Sequence, residues 1–231
     1  MELEIAIVNY MKKKDNRLDE FFYKIVENFA NEELNTYKLW RQFHFVFNER
    51  CAMSALIPAI HKVTGNIWLE EPFKNLKENN RRVDILTEYN KRNFFIEVKH
   101  FFHRNANVSL YGYAKKRLNK TMIQISDITK DSLKDLYQNL GYSYKIAFII
   151  APTFLSNKSK NGFNQEILNK SAEEYAQGLY DACCNGECET NKPSYVITWK
   201  LNDPINYQNR IGEIIEIYPF VNFIIKVEKI S

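Results

Sequence analysis

After Lys145, the run YKIAFIIAP (residues 144–152) carries no polar side chain. A strand with one solvated face alternates polar and apolar residues, so a short unbroken apolar run reads as a central strand covered on both faces. Such a strand obliges the chain to supply helices for both sides of a sheet. Between Asp15 and about Asn31, Leu18, Phe21, Phe22, Ile25 and Phe29 recur at three- and four-residue intervals, with Asp15 as a cap. A second helical stretch is expected over about Lys38 to His61, with Trp40, Phe43, Phe47, Cys51, Leu56 and Ile60 for burial. Pro58 should kink or divide it, because proline lacks the amide its turn requires. Further helices are expected over about Lys120 to Leu140 and Asn164 to Cys184.

Five other runs rich in aromatic and β-branched residues read as strands: NIWLEEPF (66–73), RRVDILTEY (81–89), NFFIEVKHFF (93–102), SYVITWKL (194–201) and EIIEIYPFVNFIIKVEKI (213–230). The order predicts an α/β (α+β) chain with a central mixed sheet flanked by helices. At 231 residues, with no internal repeat or low-complexity tract, it is expected to form a single compact unit, with residues 1–37 as an N-terminal helical extension and 38–231 as the main domain.

No apolar run approaches the roughly 18 residues of a membrane-spanning helix, and the start MELEIAIVNYMKKK places its charges after the apolar stretch. The four cysteines are too few and too clustered for a secreted disulfide framework. A cytoplasmic chain without a membrane partner is expected. The net charge of +4 says little by itself, but basic residues gather at Lys12–Lys14, at Arg81 and Arg82, at Lys91 and Arg92, and at Arg104, Lys115, Lys116, Arg117 and Lys120. Any one such cluster is ordinarily a solvated face; three of them flank the residues discussed next. Seven glycines and no nucleophile elbow, phosphate loop or GxGxxG argue against serine-hydrolase, NTPase and dinucleotide-binding readings.

The segment RRVDILTEYNKRNFFIEVKH (81–100) places Asp84, Glu97 and Lys99 in what otherwise reads as a buried hairpin. Strand alternation puts Glu97 and Lys99 on one face, and a reversal around Asn90 and Lys91 sets Asp84 opposite Glu97. Opposed carboxylates roughly 5 Å apart repel unless one is protonated or a cation lies between them. A divalent metal resolves the conflict: Mg²⁺ takes a few carboxylate oxygens and leaves its other positions to water and phosphate. Lys99, further along the same face, could orient or help deprotonate a water, or stabilise charge on a phosphate. The plain alternative is a solvated hairpin in which Lys99 forms a salt bridge with Glu97 or Asp84.

With these residues in this order, the chain resembles the PD-(D/E)XK nuclease superfamily, the restriction-endonuclease-like fold. Asp84 in RRVDI and Glu97, Val98 and Lys99 in FFIEVKH match its central motifs, over a core of about residues 40–152. Val83 stands where the name-giving proline would be. The resemblance implies Mg²⁺, with Mn²⁺ as a substitute, held by Asp84, Glu97 and the Val98 carbonyl, and Lys99 serving the water nucleophile. It also implies a supporting acid on the helix before the first strand, for which Glu49 is the match and Glu70 and Glu71 are rivals. An exposed helix turn is the alternative for Glu49. Arg81, Arg82, Arg104, Lys115, Lys116 and Arg117 are the expected nucleic-acid contacts. Tyr111 and Tyr113, interleaved with lysines, suit base stacking or else pack on the core as part of a flexible connection. Gln124 could approach the site from its helix.

The expectation is therefore a Mg²⁺-dependent endonuclease acting on DNA, of restriction or phage-defence type, with a homodimer plausible for double-strand cleavage. A non-catalytic nucleic-acid-binding or assembly module of the same fold, a junction resolvase and an RNA-acting nuclease stand as alternatives. Cys183, Cys184 and Cys188 lack the paired spacing of a zinc site. His100 should turn away from the charged face, and His103 could turn back toward it.

Overall fold

The computed structural model describes residues 3–74, 80–104, 110, 112–133, 141–157, 163–185 and 192–230. Among them nine strands form one mixed sheet. The strands are β1 (Glu4–Asn9), β2 (Ile67–Lys74), β3 (Asn80–Tyr89), β4 (Arg92–His100), β5 (His103–Arg104), β6 (Tyr142–Ser156), β7 (Tyr195–Lys200), β8 (Asn209–Ile211) and β9 (Ile214–Lys229). Their order is β1-β7-β9-β6-β4-β3-β2, with β5 beside β6 and β8 beside β9. β4 and β5 run parallel to β6, and the other pairs are antiparallel. β6 contains the apolar run and lies in the middle of the sheet, buried from Ile146 to Thr153.

The helices are α1 (Asn16–Trp40), α2 (Glu49–Thr64), α3 (Gly112–Ser126), α4 (Lys130–Leu133), α5 (Gln165–Leu168) and α6 (Ala172–Cys184). On one face of the sheet α1 and α2 bury Phe21, Phe22, Ile25, Phe29, Leu56 and Ile60 against Phe94, Ile96, Val98, Phe148 and Phe223. On the other, α3 and α6 bury Leu118, Met122, Ile125, Leu179 and Cys183 against Ala147, Ile149 and Ile224. Each fully buried Leu, Ile or Phe contributes about 1.5–3 kcal/mol relative to an exposed one. The two helical layers are thus the main source of stability on either side of β6.

Several sequence expectations need correction. The first 37 residues are not an appended helical extension: β1 pairs with β7 from Glu4↔Lys200 to Asn9↔Tyr195, and α1 lies on the main core. The helix expected over 38–61 is interrupted at residues 41–48 and runs unbroken through Pro58. Arg41, in the left-handed region at φ 58°, ends α1 by donating its amide to Tyr37 O at 2.8 Å, and Asn48 starts α2 by accepting from the Cys51 amide at 3.0 Å. The stretch 164–184 splits into α5 and α6 because Ser171 and Glu174 form a reciprocal capping box. Most consequential for the site, α3 begins at Gly112, eight residues before the expected start, and ends at Ser126. Tyr113, Lys115, Lys116 and Arg117 therefore lie on a helix and not in a loop.

Candidate active site

The hairpin register follows from its turn. Asn90 and Lys91 both have positive φ, 52° and 60°, the conformation of a two-residue type I′ connection. Tyr89 then pairs with Arg92, and the ladder continues to Ile85↔Ile96. One step further, at Asp84 and Glu97, the regular pairing stops: Asp84 Oδ2 accepts the Val98 backbone amide at 2.7 Å. A carboxylate has replaced a strand carbonyl as acceptor, and the two strands part at that point. The β2 side is irregular at the same level, where Glu70, between the pairs Leu69↔Ile85 and Glu71↔Val83, takes φ 57°.

Lys99 extends into this opening. Its Nζ lies 2.9 Å from Glu97 Oε1, 3.6 Å from Asp84 Oδ2 and 3.6 Å from Glu49 Oε1, and donates to the Val98 carbonyl at 2.7 Å. The three carboxylates come from β4, β3 and the first turn of α2. Burial pushes the Glu97 carboxyl above its ordinary value, the Asp84 and Glu49 charges add to that, and Lys99 opposes it. Burial works against the Lys99 ammonium, but Glu97, Asp84 and Glu49 outweigh it and its pKa is raised. With all four groups ionised, one ammonium faces three carboxylates, so negative charge is left over in a half-buried cleft.

That donor set of carboxylates and a carbonyl suits a hard divalent cation in its chemistry. In the present conformation the ammonium occupies the centre, and among the described residues no group of three or more His, Cys, Asp or Glu side chains converges on a metal position. Asp84, Glu97, Val98 and Lys99 are brought together as the sequence suggests, and Glu49 joins them from α2. Glu70 is exposed and Glu71 buried.

Beside Lys99 opens a cavity of about 330 Å³ whose other wall is one stripe of α3: Tyr113, Lys116, Arg117, Lys120 and Gln124, above the buried Thr121. The intervals of three and four residues set these side chains on one helix face, next to the stripe Ala114, Leu118, Met122 and Ile125 that packs on the sheet. Arg117 lies over the Tyr113 ring, 5.8 Å from its centroid, and donates to its hydroxyl at 3.1 Å. Of the contacts expected on α3, Lys116 and Arg117 line the cavity, and Lys120, Tyr113 and Gln124 join them there. Lys115 does not line the cavity; it donates to Asn185 O at 2.6 Å.

Arg81 and Arg82 are exposed at the start of β3. The Arg104 side chain, Tyr111 and Cys188 lie outside the described residues. His100 does turn away, buried with Nε2 2.9 Å from Phe45 O, and burial lowers its pKa. His103 does not return to the cleft: it is buried beside the Thr153 and Tyr175 hydroxyls at 3.2 and 3.1 Å. Cys183 and Cys184 are free thiols, and burial raises the pKa of the first. No helix among the described residues is long and apolar enough to cross a membrane. No protein-family model, curated protein or solved structure matches the chain.

Proposed function

We propose that this chain is a metal-dependent nuclease of the restriction-endonuclease-like kind, hydrolysing phosphodiester bonds in DNA. The observation that carries the reading is the convergence of Glu49, Asp84 and Glu97 from three elements on Lys99, at the point where β3 and β4 part. A structural ion pair needs one partner. Three carboxylates around one ammonium leave a site that a divalent cation would neutralise. Asp84, Glu97 and the Val98 carbonyl would hold it, with Glu49 in support, and Mg²⁺ or Mn²⁺ bound there would supply Lewis-acid activation of water and of the phosphoryl group.

The chain's own groups have separable tasks. Asp84 keeps the strands apart by holding the Val98 amide, which exposes the Val98 carbonyl to the cleft. Lys99 orients the attacking water or offsets charge developing on a phosphoryl oxygen. The basic face of α3 draws the polyanion toward Lys99. Cutting both strands of a duplex needs two centres, so a homodimer forms part of the proposal.

The second reading is a nucleic-acid-binding module of the same fold. In its favour, Lys99 by itself contacts all three carboxylates, as a closed structural cluster would. Supercoiled plasmid incubated with Mg²⁺ or Mn²⁺ separates the two. Cutting by the wild type that Asp84→Ala and Lys99→Ala both abolish supports the nuclease. DNA binding without cutting, tested also on branched, single-stranded and RNA substrates, supports the module.

A further inference from the structure

The cavity beside Lys99 asks for a ligand of its own. Among the described residues that line it are four cations, Lys99, Lys116, Arg117 and Lys120, and no carboxylate. The whole of α3 carries four basic residues and no acidic one. Lys116 and Lys120, four residues apart on the same helix face, are exposed and have no carboxylate partner among the described residues, so none of those residues offsets their mutual repulsion. Lys99, by contrast, is already satisfied by three carboxylates. The uncompensated charge therefore sits on the α3 wall, one step removed from the carboxylate cluster.

The wall is not only cationic. Tyr113 is 69% exposed, and Arg117 braces its ring from within the same helix. An aromatic ring so held is a stacking platform, and a base laid on it is worth roughly tenfold or more in affinity. Gln124 and the Thr121 position supply neutral polar and buried lining further along the stripe. At about 330 Å³ the volume lies at the small end of ligand pockets, roughly 300–1,000 Å³, and is suited to one nucleotide and not to a duplex.

We propose that this cavity is a one-nucleotide subsite. It holds the phosphate of a nucleotide next to the cleaved bond on Lys116, Lys120 and Arg117, with the base against Tyr113. Its position beside the cleaved bond rests on the nuclease reading; the binding itself does not. A duplex cannot offer a single base to such a pocket without unpairing it, so the subsite favours substrates with an unpaired nucleotide at the cleft: single strands, frayed ends or flaps.

The test is calorimetric titration of the full chain, in EDTA, with deoxyadenosine 5′-monophosphate, inorganic phosphate and deoxyadenosine. The expected result is that the nucleotide binds at least tenfold more tightly than either fragment. Lys116→Ala with Lys120→Ala should weaken nucleotide and phosphate alike by tenfold or more, and Tyr113→Ala should weaken the nucleotide alone. Lys24→Ala, at an exposed lysine of α1 that pairs with Glu20 and does not line the cavity, should leave all three unchanged. Phosphate binding as tightly as the nucleotide, or a Tyr113→Ala variant that binds like wild type, overturns the base-stacking half. Absence of nucleotide binding to a folded wild type overturns the whole. If the nucleotide binds while no nucleic acid is cut, the subsite stands and the nuclease reading fails; if plasmid is cut while no nucleotide binds, the reverse holds.

Discussion

Two buried or half-buried acidic sites in this molecule share a starting point and differ in outcome. Glu33, on the buried face of α1, is fully enclosed. It accepts the His44 backbone amide at 2.7 Å and lies 3.6 Å from the His44 ring. Burial raises its pKa, and the nearby His44 side chain and backbone amide pull the other way. One carboxylate here ties the 41–48 connection to the helix before it. At the parted end of β3 and β4 the same chemical group occurs three times around a single ammonium. A lone buried carboxylate with amide donors is glue; three that repel one another store a preference for a cation. The difference lies in how many charges share the space and not in depth of burial, since Glu33 is the more deeply buried of the two.

This contrast can be broken experimentally. The largest expected effect is on the cleavage proposed above: if the chain is that nuclease, Glu97→Gln should lower the rate by about 10³-fold, by analogy with loss of a charge-stabilising group. Its urea midpoint should nevertheless be no lower than wild type, because the substitution removes a repelled charge and can keep a hydrogen bond with Lys99. A fall in both would make Glu97 a structural residue. Glu33→Ala should do the opposite. It leaves the His44 amide unpaired and opens a cavity, for a loss of about 3 kcal/mol in urea unfolding, while the proposed cleavage by the folded protein should keep the wild-type rate.

A smaller effect is pH-dependent. The Glu33 carboxylate, 3.6 Å from the ring, holds the His44 pKa above its ordinary 6.5 against the pull of burial. A raised histidine contributes stability that is fully present below its unfolded pKa and lost as pH rises through the folded one. His44→Gln should therefore cost up to about 1 kcal/mol near pH 6, with the difference from wild type shrinking as pH rises above that range, as read by urea melts at several pH values. The smallest effect concerns the backbone. Arg41 occupies a left-handed position that glycine adopts without strain, so Arg41→Gly should raise the urea midpoint by about 0.5–1 kcal/mol equivalent. A loss instead would show that the guanidinium over the Tyr37 ring outweighs the backbone term.

Much of the hairpin is legible from residues alone. A two-residue turn at Asn90–Lys91 has one register, strand alternation assigns faces, and the pair sums place Asp84 level with Glu97. The amphipathic pattern of α1 and the apolar run of β6 are legible for the same reason: short-range periodicity reports which face is buried. β1 is not, because a short edge strand becomes a strand only when β7 offers its backbone some 190 residues later. The start of α3 is not either. Its Lys-rich polar first turns look like a solvated connection, and only packing of Ala114, Leu118 and Met122 on the sheet makes them helical.

By itself, then, the sequence determined the elements whose signal is local: the helix faces, the central strand, and the hairpin that sets Asp84, Glu97 and Lys99 within reach of one another. The tertiary structure alone decided that Glu49 arrives from the opposite helical layer and that the basic stripe of α3 forms the other wall of the cleft. Both depend on how two helical layers pack against opposite faces of one sheet. That relation is set by the combined volume of side chains distant in sequence, and it leaves no periodic trace in any one segment.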